Sequence, residues 1–551
     1  MMPHMSEEDI RAERLKKLGL LRAAGMEAYP ARTEPTITIN DFLSRFEPLL
    51  AHGGEETLAG RIMARRGQGG IIFADMLSDG ARIQIVFERE SMDEAAFNLF
   101  AEATEIGDFI EVRGTAYLTK RGEKSLKASA WKMLAKSIAP LPSGWYGVKD
   151  EELKLRERYL DILLNTEVRE MFLRRAKFWQ IVRQFYLERG FLEVETPVLE
   201  NSPGGADARP FITHHNALDM DVYLRISCGE LWQKRLLVAG FPQVFEIGRI
   251  FRNEGQSREH LQDYTQLESY EAFNDMRGGM RFIQDLYRHI AKEVYGKYTF
   301  EINGHTTDFA DEWKEIDFNT TIRERFGVDP LGCTEEDAIQ AVRDAQIQVG
   351  EELNLPRAVD HLWKAIRKGI AGPAFLVNVP VYLEPLAKRS ASDPRVVERF
   401  QIIIAGSEIG KGFSELNDPQ DQRARFEEQQ ALREVGDDEA QRLDEEYVRA
   451  MEYGMPPAIG FGMSERLYSF HEDRPAHEAQ LFPLLRPKEE KLSKKEAEAQ
   501  YRSKRFVVIA DLSQGYGVTA NAIGQLGISI GGLSQQKLFD AKTLKDADGR
   551  M

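Results

Sequence analysis

Val244-Phe-Glu-Ile-Gly-Arg-Ile-Phe-Arg-Asn-Glu-Gly255, followed after a polar loop by Tyr264-Thr-Gln-Leu-Glu-Ser-Tyr-Glu-Ala-Phe273, is the stretch on which the fold turns. It reads as a long antiparallel hairpin. Side chains alternate along a strand, so Glu246, Arg252 and Glu254 share one face of the first strand. By the same count Tyr264, Gln266, Glu268 and Tyr270 share one face of the second, with Leu267 and Phe273 on the other. One face is therefore polar throughout. For a lone strand the commoner reading is a sheet face washed by solvent, so the flanking sequence has to decide.

Upstream, Phe172, Ala176, Trp179, Val182 and Tyr186 recur at helical steps and stop at Gly190, predicting a long helix with one apolar stripe. A strand from Leu192 to Thr196 follows, and Pro197 marks its end. Downstream, the pattern turns helical and charged from about 310 to 368, an insertion between strand-rich regions, and strands return at Ala374 to Val379. Further back, from Leu58 to about Met133, Gly70-Ile-Ile-Phe-Ala-Asp75, Arg82-Ile-Gln-Ile-Val-Phe87 and Phe109-Ile-Glu-Val-Arg-Gly114 are divided by glycine-rich turns, which predicts a small β-barrel. Residues 7 to 24, with Ile10, Leu15, Leu18 and Leu21, suit an amphipathic helix.

A chain of 551 residues exceeds one hydrophobic core. The expected organisation is α+β: a helical leader over 1–50, the barrel over 51–140, a linker over 141–159, the main domain over 160–487 and an appendage over 488–551. Hydrophobic residues at 42% and charged residues at 29% are those of an ordinary soluble protein, and no apolar run is long enough for a bilayer. Met1 to Arg14 lacks the apolar stretch of a secretory signal, so a cytoplasmic location is expected. Two cysteines, Cys228 and Cys333, exclude a disulfide framework and a four-cysteine zinc site. The net charge of −16 argues against indiscriminate coating of nucleic acid but leaves room for a local basic patch.

Three stretches then act together. Gly190-Phe-Leu-Glu-Val-Glu-Thr-Pro197, Phe251-Arg-Asn-Glu-Gly255 with Glu268, and Gly460-Phe-Gly-Met-Ser-Glu-Arg466 stand in the order of the first, second and third motifs of class II aminoacyl-tRNA synthetases, which the chain resembles. The resemblance implies an N-terminal OB-fold barrel followed by an antiparallel-sheet catalytic domain with flanking helices. Gly204-Gly-Ala-Asp-Ala-Arg-Pro-Phe-Ile-Thr-His-His-Asn-Ala-Leu218 is similar to the lysine-specific branch more than to the aspartate and asparagine branches. Bound lysine brings two ammonium groups into a partly dry pocket, where a cation must be paired. Glu268 with Tyr270 suits that need better than it suits an acidic substrate.

By the same resemblance Arg252 contacts the α-phosphate and the substrate carboxylate and Arg466 the far phosphates, the two catalytic residues. Glu254, His260 and Tyr264 complete the ATP site. Gly205, Glu230, Glu268, Tyr270 and Asn417 bind lysine, with Glu230 on the α-ammonium and Glu268 and Tyr270 towards the side-chain ammonium; a surface carboxylate is the other reading of Glu230. Attack of the lysine carboxylate on ATP needs no enzyme nucleophile, only positioning and charge neutralisation. Glu408 and Glu415 match a magnesium-binding pair, and Mg²⁺ takes hard oxygen ligands. Their seven-residue spacing places them on opposite faces of a regular strand, so convergence requires a bulge or kink near Gly410 or Gly412. In the barrel Arg66, Phe73 and Gln84 fall at anticodon contacts, since a ring can stack on an unpaired base and an amide can bond its edge; for Phe73 a core position is the competing reading. The implied partners are ATP, L-lysine and tRNA(Lys), with a homodimer formed through the first motif and no membrane. The loop Ser257-Arg-Glu-His-Leu-Gln-Asp263 and the triplets Cys228-Gly-Glu and Met463-Ser-Glu465 depart from the usual family forms. Residues 488–551 lie outside the resemblance.

Overall fold

The computed structural model describes residues 6–487 apart from 143–149, 207, 256, 350–352 and 435–440. The chain divides into two compact units, Met1–Pro483 and Leu484–Met551. The expected appendage over 488–551 lies outside the described residues.

In the first unit, β1 (Glu55–Gln68), β2 (Ile71–Ser78), β3 (Ala81–Glu88), β4 (Phe109–Leu118) and β5 (Lys124–Ala135) close a barrel in the order β1-β2-β3-β5-β4. Alternation fills its interior with Ile62, Ile72, Ala74, Ile85, Val112 and Met133. The helix Glu7–Ala23 packs into the same core through Leu18 and Leu21. Leu15, placed by periodicity on the inner stripe, is 47% exposed. Arg14 is buried instead, because its guanidinium donates to Ser137 and to the Ile106 and Ala139 carbonyls.

The main domain begins with short helices Glu151–Arg156 and Arg158–Leu164, then the long helix Thr166–Glu188, whose N-terminus is capped by the Asn165 side chain. Its buried face runs through Met171, Phe178, Val182, Phe185 and Tyr186. The stripe is rotated from the expected one, with Phe172 and Trp179 at its margin and Ala176 exposed.

Strand β6 (Leu192–Glu193) enters the principal sheet, while β7 (Leu199–Glu200), β8 (Ile212–His215) and β9 (Met220–Leu224) form a small separate sheet. The deciding hairpin is β10 (Gln243–Phe251) and β11 (Asp263–Ala272), antiparallel with Glu246 opposite Glu268 and Ile250 opposite Tyr264. Strands β12 (Thr299–Ile302) and β13 (His305–Asp308) make a second hairpin. With β14 (Lys314–Asp317), β15 (Ala374–Val377), β16 (Arg399–Ile404), β17 (Ser407–Ser414) and β18 (Ala458–Ser464), the principal sheet runs β14-β15-β16-β17-β18-β11-β10-β6. All its pairings are antiparallel except β14 with β15 and β6 with β10.

The helical stretch expected from about 310 begins at Phe318, because Lys314–Asp317 is drawn into the sheet as an edge strand. Helices Phe318–Phe326, Glu335–Asp344 and Leu355–Arg367 then cross to β15. Phe273 differs from expectation as well: it lies past the end of β11 with φ +62° and is 80% exposed. One face of the sheet carries the aromatic core of Tyr186, Phe245, Tyr287, Phe400 and Phe461, covered by Thr166–Glu188 and Met276–Tyr295. The other face holds the cleft.

Between β16 and β17 the register slips by one residue. Ile402 pairs with Gly410 but Ile403 pairs with Glu408, leaving Ile409 as a bulge. Ile409 packs in the aromatic core, and Gly410 abuts Tyr287 and Phe461 there. Beyond them Lys411, Phe413 and Glu415 face the cleft, as Glu408 does before them.

Candidate active site

Tyr264, Gln266, Glu268 and Tyr270, set on one face by the register of β11, line a cleft of about 660 Å³. Gly205, Glu230, Arg252, Glu254, His260, Glu408, Glu415 and Arg466 line it with them.

One end is acidic and closed. Glu268 is 4% exposed and takes only neutral donors: the Cys228 N–H at 2.9 Å and the Gln266 amide at 2.6 Å on Oε1, and the Tyr270 hydroxyl at 3.3 Å on Oε2. Glu230 opens the helix Glu230–Val238. Glu415, 2% exposed, lies one residue past β17, and neither of its carboxylate oxygens has a hydrogen-bond partner. Burial, together with the nearby negative charge of Glu230, raises the carboxyls of Glu268 and Glu415 well above the usual range. Burial likewise raises the Tyr270 hydroxyl. The glycines here keep room. Gly205 has φ +84°, and a Cβ on it would fall 2.6 Å from Ser227 Oγ. A Cβ on Gly460 would fall 2.0 Å from Glu415 Oε1.

The other end is basic and more open. Arg252 lies just past β10, its Nε donating to the Ile226 carbonyl at 3.3 Å and its guanidinium 5.9 Å from the Tyr264 ring centre. Arg466 starts the helix after β18 and donates to the Glu408 carbonyl at 3.0 Å. His260 Nδ1 is 2.7 Å from Ser257 Oγ; lost hydration, then the Arg466 charge, pull its imidazole down to about 4, so it is neutral at physiological pH. Glu408 Oε1 accepts from Trp363 Nε1 at 2.9 Å and lies 3.9 Å from Arg367 Nε. Trp363 and Arg367 come from the insertion helix Leu355–Arg367, and no motif in the sequence marked them.

Comparison with known proteins agrees with this arrangement. The family described as tRNA synthetases class II (D, K and N) matches residues 150–486, and the OB-fold nucleic acid binding domain family matches residues 56–134. A lysine–tRNA ligase of Roseiflexus castenholzii is 44% identical over 490 residues, 88% of this chain and 100% of the relative. The chain belongs to the lysine–tRNA ligase family. Members from Moorella thermoacetica, at 41% over 88% of this chain and 99% of theirs, and Thermotoga maritima, at 38% over 89% and 98%, show the same match.

Within this lysine–tRNA ligase fold, three expected roles meet a different geometry. The bulge turns both Glu408 and Glu415 into the cleft, yet seven residues at about 3.3 Å each leave them roughly 20 Å apart along the strand. One Mg²⁺, whose oxygens sit about 2 Å away, would have to draw both side chains together along the strand to be held by the pair. Glu415 lies at the acidic end, where Lys234 Nζ is 2.5 Å from its Oε2. Asn417 does not line the cleft. The chain has left β17 and is turning into Pro419–Glu434, and the Asn417 amide is engaged by Lys388 Nζ at 2.6 Å and the Met455 carbonyl at 3.3 Å. Gln84 is 5% exposed, and its amide is bonded to Glu123 at 3.0 Å and Ser125 at 3.2 Å, so meeting a base would require exchanging those partners. Phe73 is half-buried, and its cross-strand partner Arg66 places its guanidinium 5.7 Å from the ring centre. Arg66 is 55% exposed and 3.5 Å from Asp75.

Sequence reasoning also missed Lys234, one helical turn past Glu230 and fully buried. Among the described residues, no helix is long and apolar enough to cross a membrane.

Proposed function

We propose that the protein activates L-lysine with ATP, forming lysyl-adenylate and pyrophosphate, and passes the lysyl group to the 3′ end of tRNA(Lys). The observation that carries this reading is the polarity of one cleft: buried carboxylates at the closed end and arginines at the open end. Lysine then lies with its ammonium groups among Glu230, Glu268 and Glu415, and its carboxylate points towards Arg252. Glu230 pairs with the α-ammonium, while Glu268, Tyr270 and Glu415 surround the side-chain ammonium. ATP occupies the basic end, with Tyr264 and Glu254 by the base, Arg252 on the α-phosphate, and His260 and Arg466 on the outer phosphates.

The carboxylate attacks the α-phosphorus and pyrophosphate leaves. Arg252 neutralises charge on both reactants, and Arg466 takes up charge developing on the leaving group. Among the described residues no three acidic, histidine or cysteine side chains gather as a metal site. The single carboxylate of Glu408 fits Mg²⁺ that arrives with the nucleotide, since this ion is commonly held by one or two carboxylates plus substrate phosphates. When bound, Mg²⁺ would supply further neutralisation of the phosphates.

In the barrel, Arg66 and Phe73 are assigned to the anticodon, and Gln84 joins them by exchanging its bonds to Glu123 and Ser125. A homodimer through the first motif is supported by side chains left exposed around it, Leu192, Val198, Leu199 and Ile212, at 41–61%. A cytoplasmic location goes with the proposed role in translation.

ATP–pyrophosphate exchange with lysine, aspartate and asparagine tests the reading, on the wild type and on Glu268→Ala. Exchange with lysine alone, lost in the variant, is the expected result. No exchange with any of the three sinks it.

A further inference from the structure

The loop between β10 and β11 departs from the usual family form and sets Arg258 and Glu259 ahead of His260. Both residues are anchored outside the loop. The Arg258 carbonyl accepts from the Ala476 N–H at 2.8 Å, and its guanidinium lies 3.6 Å from Asp473. Glu259 reaches back to the sheet: its Oε1 accepts from the hydroxyl of Ser407, the first residue of β17, at 2.9 Å, and its Oε2 lies 3.9 Å from Arg466 Nη1. Ser407 itself is buried.

Arg466 is the arginine assigned above to the outer phosphates. Its Nη1 donates to the Glu408 carbonyl at 3.0 Å, and its buried Nε has no hydrogen-bond partner. Among the described residues Glu259 is the carboxylate at ion-pair distance from it, and the two side chains keep 26% (Glu259) and 21% (Arg466) of their surface exposed. In the free protein, then, the anion facing this guanidinium belongs to the chain itself. An incoming phosphate meets that carboxylate at short range, and like charges repel more strongly where part of the water has been removed. The repulsion is selective. ATP and pyrophosphate carry outer phosphates and feel it in full, whereas lysine and lysyl-adenylate have none and leave the Arg466–Glu259 pair as it is.

We propose that Glu259 is a resident counter-anion of Arg466, which competes with the outer phosphates of ATP and with pyrophosphate for that guanidinium and so favours departure of pyrophosphate while the adenylate stays. The Ser407 hydroxyl holds the carboxylate in place between turnovers. Arg466 faces Glu259 before ATP arrives, phosphate during the first step, and Glu259 again as pyrophosphate leaves. The same contact weakens the hold on ATP. Neutralising Glu259 therefore improves binding of two ligands and spares two others, an outcome that damage to the fold does not produce.

The inference rests on the ATP-dependent lysine activation proposed above, and the test separates the two. Isothermal titration at a fixed excess of Mg²⁺ measures ATP, pyrophosphate, lysine and the non-hydrolysable lysyl-sulfamoyl adenosine on the wild type, Glu259→Gln and Glu259→Asp. ATP and pyrophosphate are expected to bind Glu259→Gln about three- to tenfold more tightly, the scale of one partly exposed ion pair. Lysine and the adenylate analogue should bind as before, and Glu259→Asp, which keeps the charge, should fall closer to the wild type. If Glu259→Gln does not fold, Glu259→Ala is read by the same four affinities. Unchanged affinities for ATP and pyrophosphate, or an equal gain for the adenylate analogue, overturn the inference. Weaker binding of ATP overturns it too, and would make Glu259 a partner of Mg²⁺ carried by the nucleotide. Lysine-dependent pyrophosphate exchange by the wild type, run in parallel, decides the underlying reading on its own: its presence leaves lysine activation standing after any of these failures, and its absence overturns both.

Discussion

The two ends of one cleft are built on opposite plans. At the acidic end, charged side chains project from strands and a helix, sit at 2–6% exposure and are surrounded by neutral donors or by Lys234. At the basic end, the charges come from strand ends, a loop and the insertion helix, and Arg466 keeps 21% of its side chain exposed. An unpaired charge costs far more in a dry pocket than beside water. The closed end is therefore where substrates are told apart. The open end gathers a polyanion by summed charge.

The sharpest way to break that comparison is to exchange the fates of Glu415 and Glu408. Glu415→Gln should raise KM for lysine roughly 30- to 150-fold, the equivalent of the ~2–3 kcal/mol lost with a charged hydrogen bond, with the Mg²⁺ requirement unchanged. Glu408→Gln should do the reverse, shifting Mg²⁺ dependence and sparing lysine affinity. Steady-state exchange titrated in lysine and in Mg²⁺ checks both. Equal effects of the two variants on Mg²⁺ would restore the shared-ion reading.

A smaller effect is expected from pH. The carboxyls of Glu268 and Glu415 are raised in the free folded protein, so the native state binds more protons than the unfolded one between the ordinary carboxylate pKa and the raised value. Stability of the free protein from these groups then falls as pH rises through that window, and lysine, which pairs the ionised forms, offsets the fall. The gain in Tm on adding lysine should grow from about pH 6 to about pH 8. A gain that shrinks over that range would contradict the assigned shifts.

The smallest effect sharpens the contrast through salt. Exposed charges are screened and buried ones much less so. Between about 50 and about 200 mM salt, ATP affinity should weaken by a few-fold while lysine affinity changes less, as isothermal titration would show. Equal slopes would mean that the two ends do not differ in exposure to solvent.

Much of the fold could be read in the chain because it rests on short-range periodicity. A period of two put Tyr264, Gln266, Glu268 and Tyr270 on one face, and these residues do line one cleft. Turn spacing gave the barrel strands. Long-range properties were beyond that reasoning. Whether Glu415 faces Glu408 or Glu230 depends on distance along a strand and on a helix some 180 residues earlier in the chain. Lys234 carries no motif, and a lysine four residues after a glutamate on a helix is ordinarily a solvated pair; only burial gives it another meaning. Asn417 and Gln84 were placed by analogy, but their partners Lys388, Met455, Glu123 and Ser125 come from segments that no local pattern links to them.

The single extra residue at Ile409 makes β17 a strand with two phases. Before it an even-numbered residue, Glu408, points into the cleft; after it the odd-numbered Lys411, Phe413 and Glu415 do. Were the bulge pulled straight with every residue kept, the segment on one side of it would invert. Gly412 and Ser414 would then face the substrate and Glu415 the aromatic core, with the hydrogen-bond ladder otherwise free to re-form. The length of this strand thus carries information that its composition does not: a frame, counted in single residues, that keeps the nucleotide half and the amino-acid half of the strand reading on the same side.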